Sequence, residues 1–174
     1  QYPLLGHGDI NLYSVLTEKA VTLTNSKGRT GFLTPSGIAT DNTSRDFFRT
    51  MVEQHRLVKF IDFENKKVFF PEVDSRFKFA VSIISGKDSP ADEAECAFFI
   101  HNMDELNDPE RRFQLTAEDF AILNPNTRTC PVFRTHRDAK LTKRIYQNVP
   151  IFIKAALVDT DTPGALKDQL MESA

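Results

Sequence analysis

Four acidic residues in the first part of the sequence, Asp41, Asp46, Asp62 and Glu64, are the first candidates for acid–base chemistry. None is accompanied by a His or Ser in a recognisable hydrolase pattern, and the acid pair followed by Glu-x-Lys that marks many nucleases is missing. Asp62 and Glu64 alternate with Phe63 along an expected strand, which is typical of a solvent-facing strand surface. These carboxylates therefore give no support to a hydrolytic site.

The sequence offers little for metal or disulfide chemistry. Its two cysteines, Cys96 and Cys130, are too few for a disulfide scaffold and are typical of reduced thiols in an intracellular protein. The four histidines are scattered, and none stands at metal-ligand spacing from another His or Cys. We expect no metal site.

Charge is unevenly distributed along the chain. The formal net charge is −2, but the segment from Arg128 to Lys154 is rich in Lys and Arg and contains one acid, Asp138. Basic segments of this kind supply phosphate contacts in DNA-binding proteins. The candidate DNA-binding residues of this segment are Arg128, Arg134, Arg137, Lys140, Lys143 and Arg144. A solvated basic helix is an equally good interpretation of the last three.

A second basic pattern lies nearer the middle of the sequence. Arg76 and Lys78 alternate with Phe77 and Phe79, which predicts a strand with one basic and one apolar face. Both cations are candidates for contact with DNA phosphates. The alternative is a solvated strand face without a ligand.

The composition is that of a globular domain that folds in water. Of the 174 residues, 40% are hydrophobic and 26% charged, and no apolar run approaches the roughly eighteen residues that span a membrane. The first residues lack the basic-then-apolar pattern of a secretory signal. We expect a cytoplasmic protein without a membrane partner.

Hydrophobic periodicity predicts the elements that position these residues. Residues 11–25 are expected to form an amphipathic helix, with Leu12, Leu16 and Leu23 on its apolar face and Glu18 and Lys19 on its wet side. The other predicted elements are a short strand at 32–34, a helix from 41–43 to about 55, strands at 57–63, 76–84 and 96–100, a capped helix beginning near 115–118, a basic helix at 139–147 and a last strand at 151–158.

The order of these elements predicts an α/β fold. Helix, strand, helix and three further strands match the second half of an α/β sheet whose last strands form an antiparallel hairpin. Residues 32–58 are the one convincing parallel β-α unit, too little for a complete doubly wound domain. We therefore predict a partial Rossmann-like sheet followed by a C-terminal α+β extension. The missing half would leave the strand at 32–35 as an exposed edge prone to self-association.

Several segments, taken in order, resemble a known family. They are residues 8–13 (GDINLY), 28–41 (GRTGFLTPSGIATD), 60–65 (FIDFEN), 68–71 (VFFP), 76–79 (RFKF) and 124–131 (NPNTRTCP), with Tyr146, Val149 and Pro150. Together they resemble the part after the catalytic loop in N6-adenine DNA methyltransferases of restriction-modification systems, including the fused restriction-modification proteins. Each motif is moderately specific, but their order and spacing strengthen the set.

The resemblance implies a mechanism and roles for two residues. In the family the target adenine is flipped out of the duplex and receives a methyl group from S-adenosylmethionine. An Asn-Pro-Pro-aromatic loop holds the exocyclic amine, and an aromatic residue from the later hairpin covers the base. Phe70 matches that base-stacking aromatic, with Phe69 as the second choice, and Leu16 matches a position in the cofactor-pocket wall. On pattern alone, Leu16 is instead a core leucine, and a phenylalanine is most often a core residue.

The sequence departs from the family in two ways. It contains no Asn-Pro-Pro-aromatic loop, because Asn126 and Thr127 follow Asn124 and Pro125, and no glycine cluster of the cofactor-loop type. Both departures are explained if the chain begins just after the catalytic loop. We therefore expect the isolated chain to be inactive and to bind no S-adenosylmethionine.

The resemblance thus predicts two regions and two alternative functions. Residues 1–103 would form the C-terminal half of the methyltransferase catalytic domain, and residues 104–174 an extension leading into the DNA target-recognition region. The expected function is that of a fragment of an S-adenosylmethionine-dependent DNA adenine-N6 methyltransferase, whose partners are DNA and the missing N-terminal half. The alternative is a DNA-binding or scaffold module without chemistry of its own.

Overall fold

Five strands form one mixed sheet in the order β1-β3-β2-β4-β5. The computed structural model describes residues 2–6, 8 and 10–149. The strands are β1 (Arg29–Pro35), β2 (Leu57–Glu64), β3 (Lys78–Ser85), β4 (Glu93–Ile100) and β5 (Phe113–Thr116). The helices are α1 (Leu12–Leu23), α2 (Gly37–Thr40), α3 (Arg45–Glu53), α4 (Ala117–Leu123) and α5 (His136–Asn148), with 3₁₀ turns at Asn42–Ser44, Met103–Asn107 and Pro109–Arg111.

The strand directions bring three strand ends together. β3 is antiparallel to both β1 and β2, β2 is parallel to β4, and β4 is antiparallel to β5. β1, β2 and β4 therefore run the same way and end at one edge of the sheet, which we call the carboxyl edge. The predicted α/β class is confirmed, and the parallel unit at 32–58 is β1-α3-β2. The antiparallel hairpin is formed by β2 and β3, whereas β4, the last of the strands predicted from the sequence, pairs parallel with β2. Ligands of open α/β sheets bind beyond this kind of edge.

The main hydrophobic core lies between the sheet and the helices α3 and α4. α3 buries Phe47, Phe48, Met51 and Val52, at the three-four spacing of a helix that packs on a sheet. The Phe48 ring makes edge contacts with Phe60 of β2 at 6.0 Å and with Phe120 of α4 at 5.6 Å between centroids. A smaller cluster on the other face contains Ile61, Phe63, Ala97 and Ile100, with Phe69 and Phe79 packed against it.

Helix α1 packs with the opposite face from the one expected. Leu12, Leu16 and Leu23 are exposed by 73%, 57% and 71%, whereas Glu18 is buried with Ser14, Thr17 and Val21. The prediction of Glu18 on the wet side is therefore wrong, as is the interpretation of Leu16 as a core leucine. The physical reason is a local hydrogen-bond demand: the Glu18 carboxylate accepts the backbone N–H groups of Leu4 and Leu5, the latter at 2.7 Å.

The later part of the chain agrees with most of the sequence predictions. The capped helix is α4, where the Thr116 side chain and Asp119 form a reciprocal capping box, and the basic helix is α5. The short strand β5 is an element that the sequence pattern does not predict. The expected strand at 151–158 lies outside the described residues, and the domain boundary at 103 stays a prediction. Over the described residues, the helices are all too short or too polar to cross a membrane.

Candidate nucleic-acid interface at the carboxyl edge

A buried carboxylate lies where β1 and β2 end. Asp62 of β2 is 4% exposed and accepts hydrogen bonds from the Ser36 hydroxyl and, at 3.4 Å, from the Phe99 backbone N–H. Burial raises the pKa of Asp62 above its ordinary value, and the hydrogen bonds from Ser36 and Phe99 lower it by less. The expectation that Asp62 faces solvent is wrong, because these two donors satisfy its oxygens inside the protein.

Phe99 is held in an unusual backbone conformation beside this carboxylate. Its φ is +55°, rare for a bulky residue, and the β2–β4 register is irregular at this point. The Arg111 guanidinium donates to the carbonyl oxygens of Phe98 at 3.0 Å and Phe99 at 2.8 Å. Because the Phe99 N–H also donates to Asp62, the side chains of Asp62 and Arg111 together bind the peptide groups before and after Phe99. Strain of this kind persists where the surroundings fix it, often at ligand sites.

Two cations lie over the Phe99 ring. The Lys78 ammonium is 4.5 Å and the Arg134 guanidinium 4.9 Å from the ring centroid. Both distances are within the range of cation–π attraction. Because Lys78 begins β3 and Arg134 precedes α5, the ring joins the two basic segments noted in the sequence. Sequence reasoning misses this role of Phe99, since no motif distinguishes it among fifteen phenylalanines.

Glu64, the last residue of β2, is the acidic centre of this edge. Its carboxylate lies 2.8 Å from His101 Nε2, 3.3 Å from Lys66 Nζ and 3.2 Å from Lys78 Nζ. Burial acts to raise the pKa of Glu64, but hydrogen bonds from His101, Lys78 and Lys66 outweigh it and lower the pKa to about 2. Glu64 is therefore ionised at neutral pH and neutralises part of the positive charge around it.

An open apolar groove of about 260 Å³ lies beside the end of β1. Its walls are the β1 end (Leu33 to Pro35) and the loop between β2 and β3, including Phe70, Val73 and Phe77. Phe70 is 39% exposed, and its ring makes an edge contact with the Phe79 ring at 5.2 Å between centroids. Phe70 thus lies on the wall of a groove and not inside the core. Base stacking requires such an accessible ring. That assignment stays a prediction.

Asn65 is a residue of this site that sequence reasoning misses. The pattern places it among the polar residues that connect two strands, yet it is 1% exposed and its side chain bonds to the backbone at Phe70 and Val73. A signal is present in principle, because an Asn directly after a strand can hydrogen-bond to its own loop. Most such residues are exposed, so the pattern alone does not single it out.

The eight basic candidates separate into two groups of four. The first group has carboxylate partners: Arg76 with Asp74 at 2.9 Å, Lys78 with Glu64 at 3.2 Å, Arg128 with Glu53, and Lys143 with Asp119. The second group has no carboxylate within 4.0 Å among the described residues: Arg134, Arg137, Lys140 and Arg144. Arg76 precedes β3 in the loop, so the predicted strand with alternating basic and apolar faces begins only at Lys78.

The position expected in the cofactor-pocket wall does not adjoin a cofactor-sized cavity within the described residues. Leu16, the residue expected in the cofactor-pocket wall, is 57% exposed on α1. The cavity beside α1, lined by Thr17, Phe32 and neighbouring core residues, has a volume of about 10 Å³. Small-molecule sites typically measure several hundred Å³. No cluster of three metal-ligating side chains occurs within the part of the chain that the structure describes.

Comparison with known proteins gives one partial family match. Residues 2–69 match the model of the Eco57I restriction-modification methylase family, which is less than half of the chain. A search among curated proteins gave no match. The crystal structure of the type IIG restriction endonuclease BpuSI is similar, with 13% sequence identity and a TM-score of 0.49. The likeness covers 99% of this chain and 24% of that one, so this chain spans about a quarter of the length of that enzyme.

Proposed function

We propose that this chain is part of an S-adenosylmethionine-dependent DNA adenine-N6 methyltransferase of a restriction-modification system. Its contribution would be one wall of the target-base pocket together with contacts to the DNA backbone. The rest of the enzyme, including the Asn-Pro-Pro-aromatic loop and the cofactor site, would belong to the preceding half of a Rossmann-like sheet. We place the enzyme in the cytoplasm of a bacterium or archaeon. The single observation that carries the proposal is the methylase family match over residues 2–69.

The groove beside β1 supports a base-binding role. Its walls are mainly apolar, it opens at the carboxyl edge, and the Phe70 ring is partly exposed toward it. A flipped base needs a flat apolar surface on which to stack, and aromatic rings provide one. One side of the groove is β1, which is an edge strand of the sheet. A further strand added to that edge in a larger sheet would enclose the base.

The unpaired cations support DNA contact. Arg137, Lys140 and Arg144 lie on α5 and are exposed, and Arg134 precedes that helix. A cation that has no protein carboxylate can neutralise a phosphate without first breaking an ion pair. These four residues are therefore the stronger candidates for the DNA backbone, and Arg76, Lys78, Arg128 and Lys143 the weaker ones.

A second function is a DNA-binding or scaffold module without chemistry. The observation that favours it is helix α5. A helix with Arg and Lys side chains that have no carboxylate partner among the described residues can bind DNA whether or not a base pocket exists. Self-association through the edge of β1, with exposed Leu33, is compatible with both functions.

Product analysis tests the methyltransferase function. The complete polypeptide that carries this chain is incubated with duplex DNA and S-adenosylmethionine, and the nucleosides are then separated. We expect N6-methyladenine, less of it with Phe70→Ala, and activity close to wild type with the matched aromatic variant Phe70→Tyr. DNA binding without any methylated nucleoside would favour the module instead.

A further inference from the structure

The Phe70 loop has no regular secondary structure to fix it. Thirteen residues, 65–77, separate β2 from β3, and they form turns and bends. A loop of this length normally lets an exposed aromatic ring adopt several orientations. Phe70 can serve as a stacking surface only if something other than helix or sheet hydrogen bonds holds its backbone.

The Asn65 side chain supplies that hold. Its amide nitrogen donates to the carbonyl oxygens of Phe70 at 2.8 Å and Val73 at 3.0 Å. Its Oδ1 accepts the Phe70 backbone N–H at 2.9 Å. Both amide hydrogens and the amide oxygen are thus used, and both polar groups of Phe70 are bound by one side chain.

The backbone of Asn65 is fixed as well. Its N–H donates to the Phe77 carbonyl at 3.0 Å, and its carbonyl accepts the Val68 N–H at 2.9 Å. With the side chain 1% exposed, water cannot readily replace these bonds. Asn65 therefore joins the two ends of the loop through its backbone N–H. Its buried side chain holds the Phe70 backbone.

Other residue types cannot reproduce this pattern. An Asp carboxylate accepts but does not donate, so it would face the carbonyl oxygens of Phe70 and Val73 without a bond. Ser has a single hydroxyl in place of the amide, and Gln is longer by one methylene at a position that is 1% exposed. Asparagine alone of these four residues combines two N–H donors and an acceptor oxygen at this side-chain length.

We propose that Asn65 is a positioning residue that fixes the Phe70 ring over the groove for stacking on a planar base. The inference rests on the proposed function, in which Phe70 covers the flipped target base. Asn65 itself touches no reacting group. Its effect is to limit the orientations of the ring before the base arrives, which lowers the ordering cost of binding.

A tryptophan reporter tests the positioning directly. The 174-residue chain contains no Trp, so Phe70→Trp gives a single fluorophore at the site. In that background, Asn65→Asp and Asn65→Ala are expected to shift the emission to the red, to lower its anisotropy and to raise acrylamide quenching roughly twofold or more. Asn42→Asp, the same change at an exposed position, is the matched control and is expected to leave all three signals unchanged.

A second measurement does not depend on the variants folding. In the wild-type chain, hydrogen exchange at the Phe70 amide is expected to be slowed well below the rate of an exposed loop, because Asn65 Oδ1 accepts that N–H. Exchange at the rate of a free loop would overturn the positioning role. So would unchanged emission, anisotropy and quenching of the tryptophan reporter in folded Asn65→Asp and Asn65→Ala.

The complete polypeptide separates this inference from the proposed function. There Asn65→Asp is expected to lower kcat roughly tenfold with little change in KM for DNA, because base stacking is weakened while phosphate contacts remain. One outcome would overturn base stacking by Phe70. In it, the tryptophan reporter loses order, yet Asn65→Asp and Phe70→Ala both form N6-methyladenine in full. It would leave the hold of Asn65 on the loop intact.

Discussion

The carboxyl edge and helix α5 both carry clustered cations, but the two regions use them differently. At the carboxyl edge, Lys66 and Lys78 lie 3.3 and 3.2 Å from the Glu64 carboxylate. On α5, Arg137, Lys140 and Arg144 have no carboxylate within 4.0 Å, as far as the described residues extend. The first region is an internally neutralised network that holds strand ends together. In the second, the described residues provide these cations with no carboxylate partner, as the proposed contact with DNA requires.

The difference shows why the sign of a side chain's charge is not enough to locate a DNA interface. A paired cation has already gained its electrostatic energy inside the protein, so a phosphate must compete with a carboxylate for it. An unpaired cation gains by releasing counterions from DNA. Pairing depends on tertiary contacts, such as Arg128 with Glu53 from a distant helix, which the sequence does not reveal.

The largest expected effect concerns the acidic centre of the paired region. The folded-state pKa of Glu64 is about 2, below its ordinary 4.5, so the ionised form stabilises the fold. That contribution is present above pH 4.5 and is lost as pH falls toward 2. Glu64→Gln is expected to remove at most about 3 kcal/mol at neutral pH, and to flatten the pH dependence of the unfolding free energy in that range. Urea titrations from strongly acidic to neutral pH measure both. Parallel pH curves for wild type and variant would contradict the paired network.

The next effect concerns the unpaired region. Replacing Arg137, Lys140 and Arg144 together with Ala is expected to lower the salt slope of DNA binding by up to roughly three units, one for each lost phosphate contact. The affinity difference from wild type is then smaller at high salt than at low salt. Fluorescence anisotropy with a short duplex, titrated at several salt concentrations, measures the slope. A slope equal to wild type would remove α5 from the interface.

Arg134 is an intermediate case. It has no carboxylate partner among the described residues but lies over the Phe99 ring, which leaves its charge available. Arg134→Ala is expected to reduce the salt slope by about one unit. Arg134→Lys, measured in the same titration, keeps the charge and should restore most of the slope. If both variants lower the slope equally, the ring contact and not the charge accounts for the effect.

The smallest effect is expected for the paired cations. Arg76→Ala combined with Arg128→Ala removes two positive charges, but each charge has a carboxylate partner, Asp74 and Glu53 respectively. The salt slope should change by less than about one unit. The same anisotropy titration measures it. A decrease as large as that of the α5 triple variant would erase the distinction between the two groups.

The helices show how far the sequence predicts the fold. For α3 the apolar periodicity identifies the buried face correctly, because Phe47, Phe48, Met51 and Val52 pack on the sheet. For α1 the same reasoning selects the wrong face: periodicity shows that a helix is amphipathic but not which side meets its own domain. The buried side of α1 is decided by Glu18, through hydrogen bonds to Leu4 and Leu5 that local patterns do not record.

The site follows the same rule. The resemblance to a known family identifies Phe70 as a candidate base-stacking residue. Phe70 lies on the wall of the groove, where a ligand could reach it. The sequence pattern predicts Asp62 and Asn65 as polar surface residues, yet both are buried. A hydroxyl and a backbone N–H from other segments satisfy Asp62, and backbone groups of its own loop satisfy Asn65. Apolar patterns predict strands and helices well, whereas buried polar residues depend on partners that become neighbours only in the folded chain.

The irregularity at Phe99 has a consequence for chain length. Ile61 pairs with Ala97 and Phe63 with Ile100, so β4 uses one residue more than β2 over the same distance. A chain lacking Phe99 could pair the two strands without a bulge and still place Ile100 opposite Phe63 in the buried cluster. Deletion of Phe99 would nevertheless remove the ring that Lys78 and Arg134 share and that packs against the main core. It would also remove the N–H that donates to Asp62 and a carbonyl that accepts from Arg111. A change of one residue in the length of β4 at this position would therefore alter the arrangement of surface cations together with the hydrogen bonds at the end of β2.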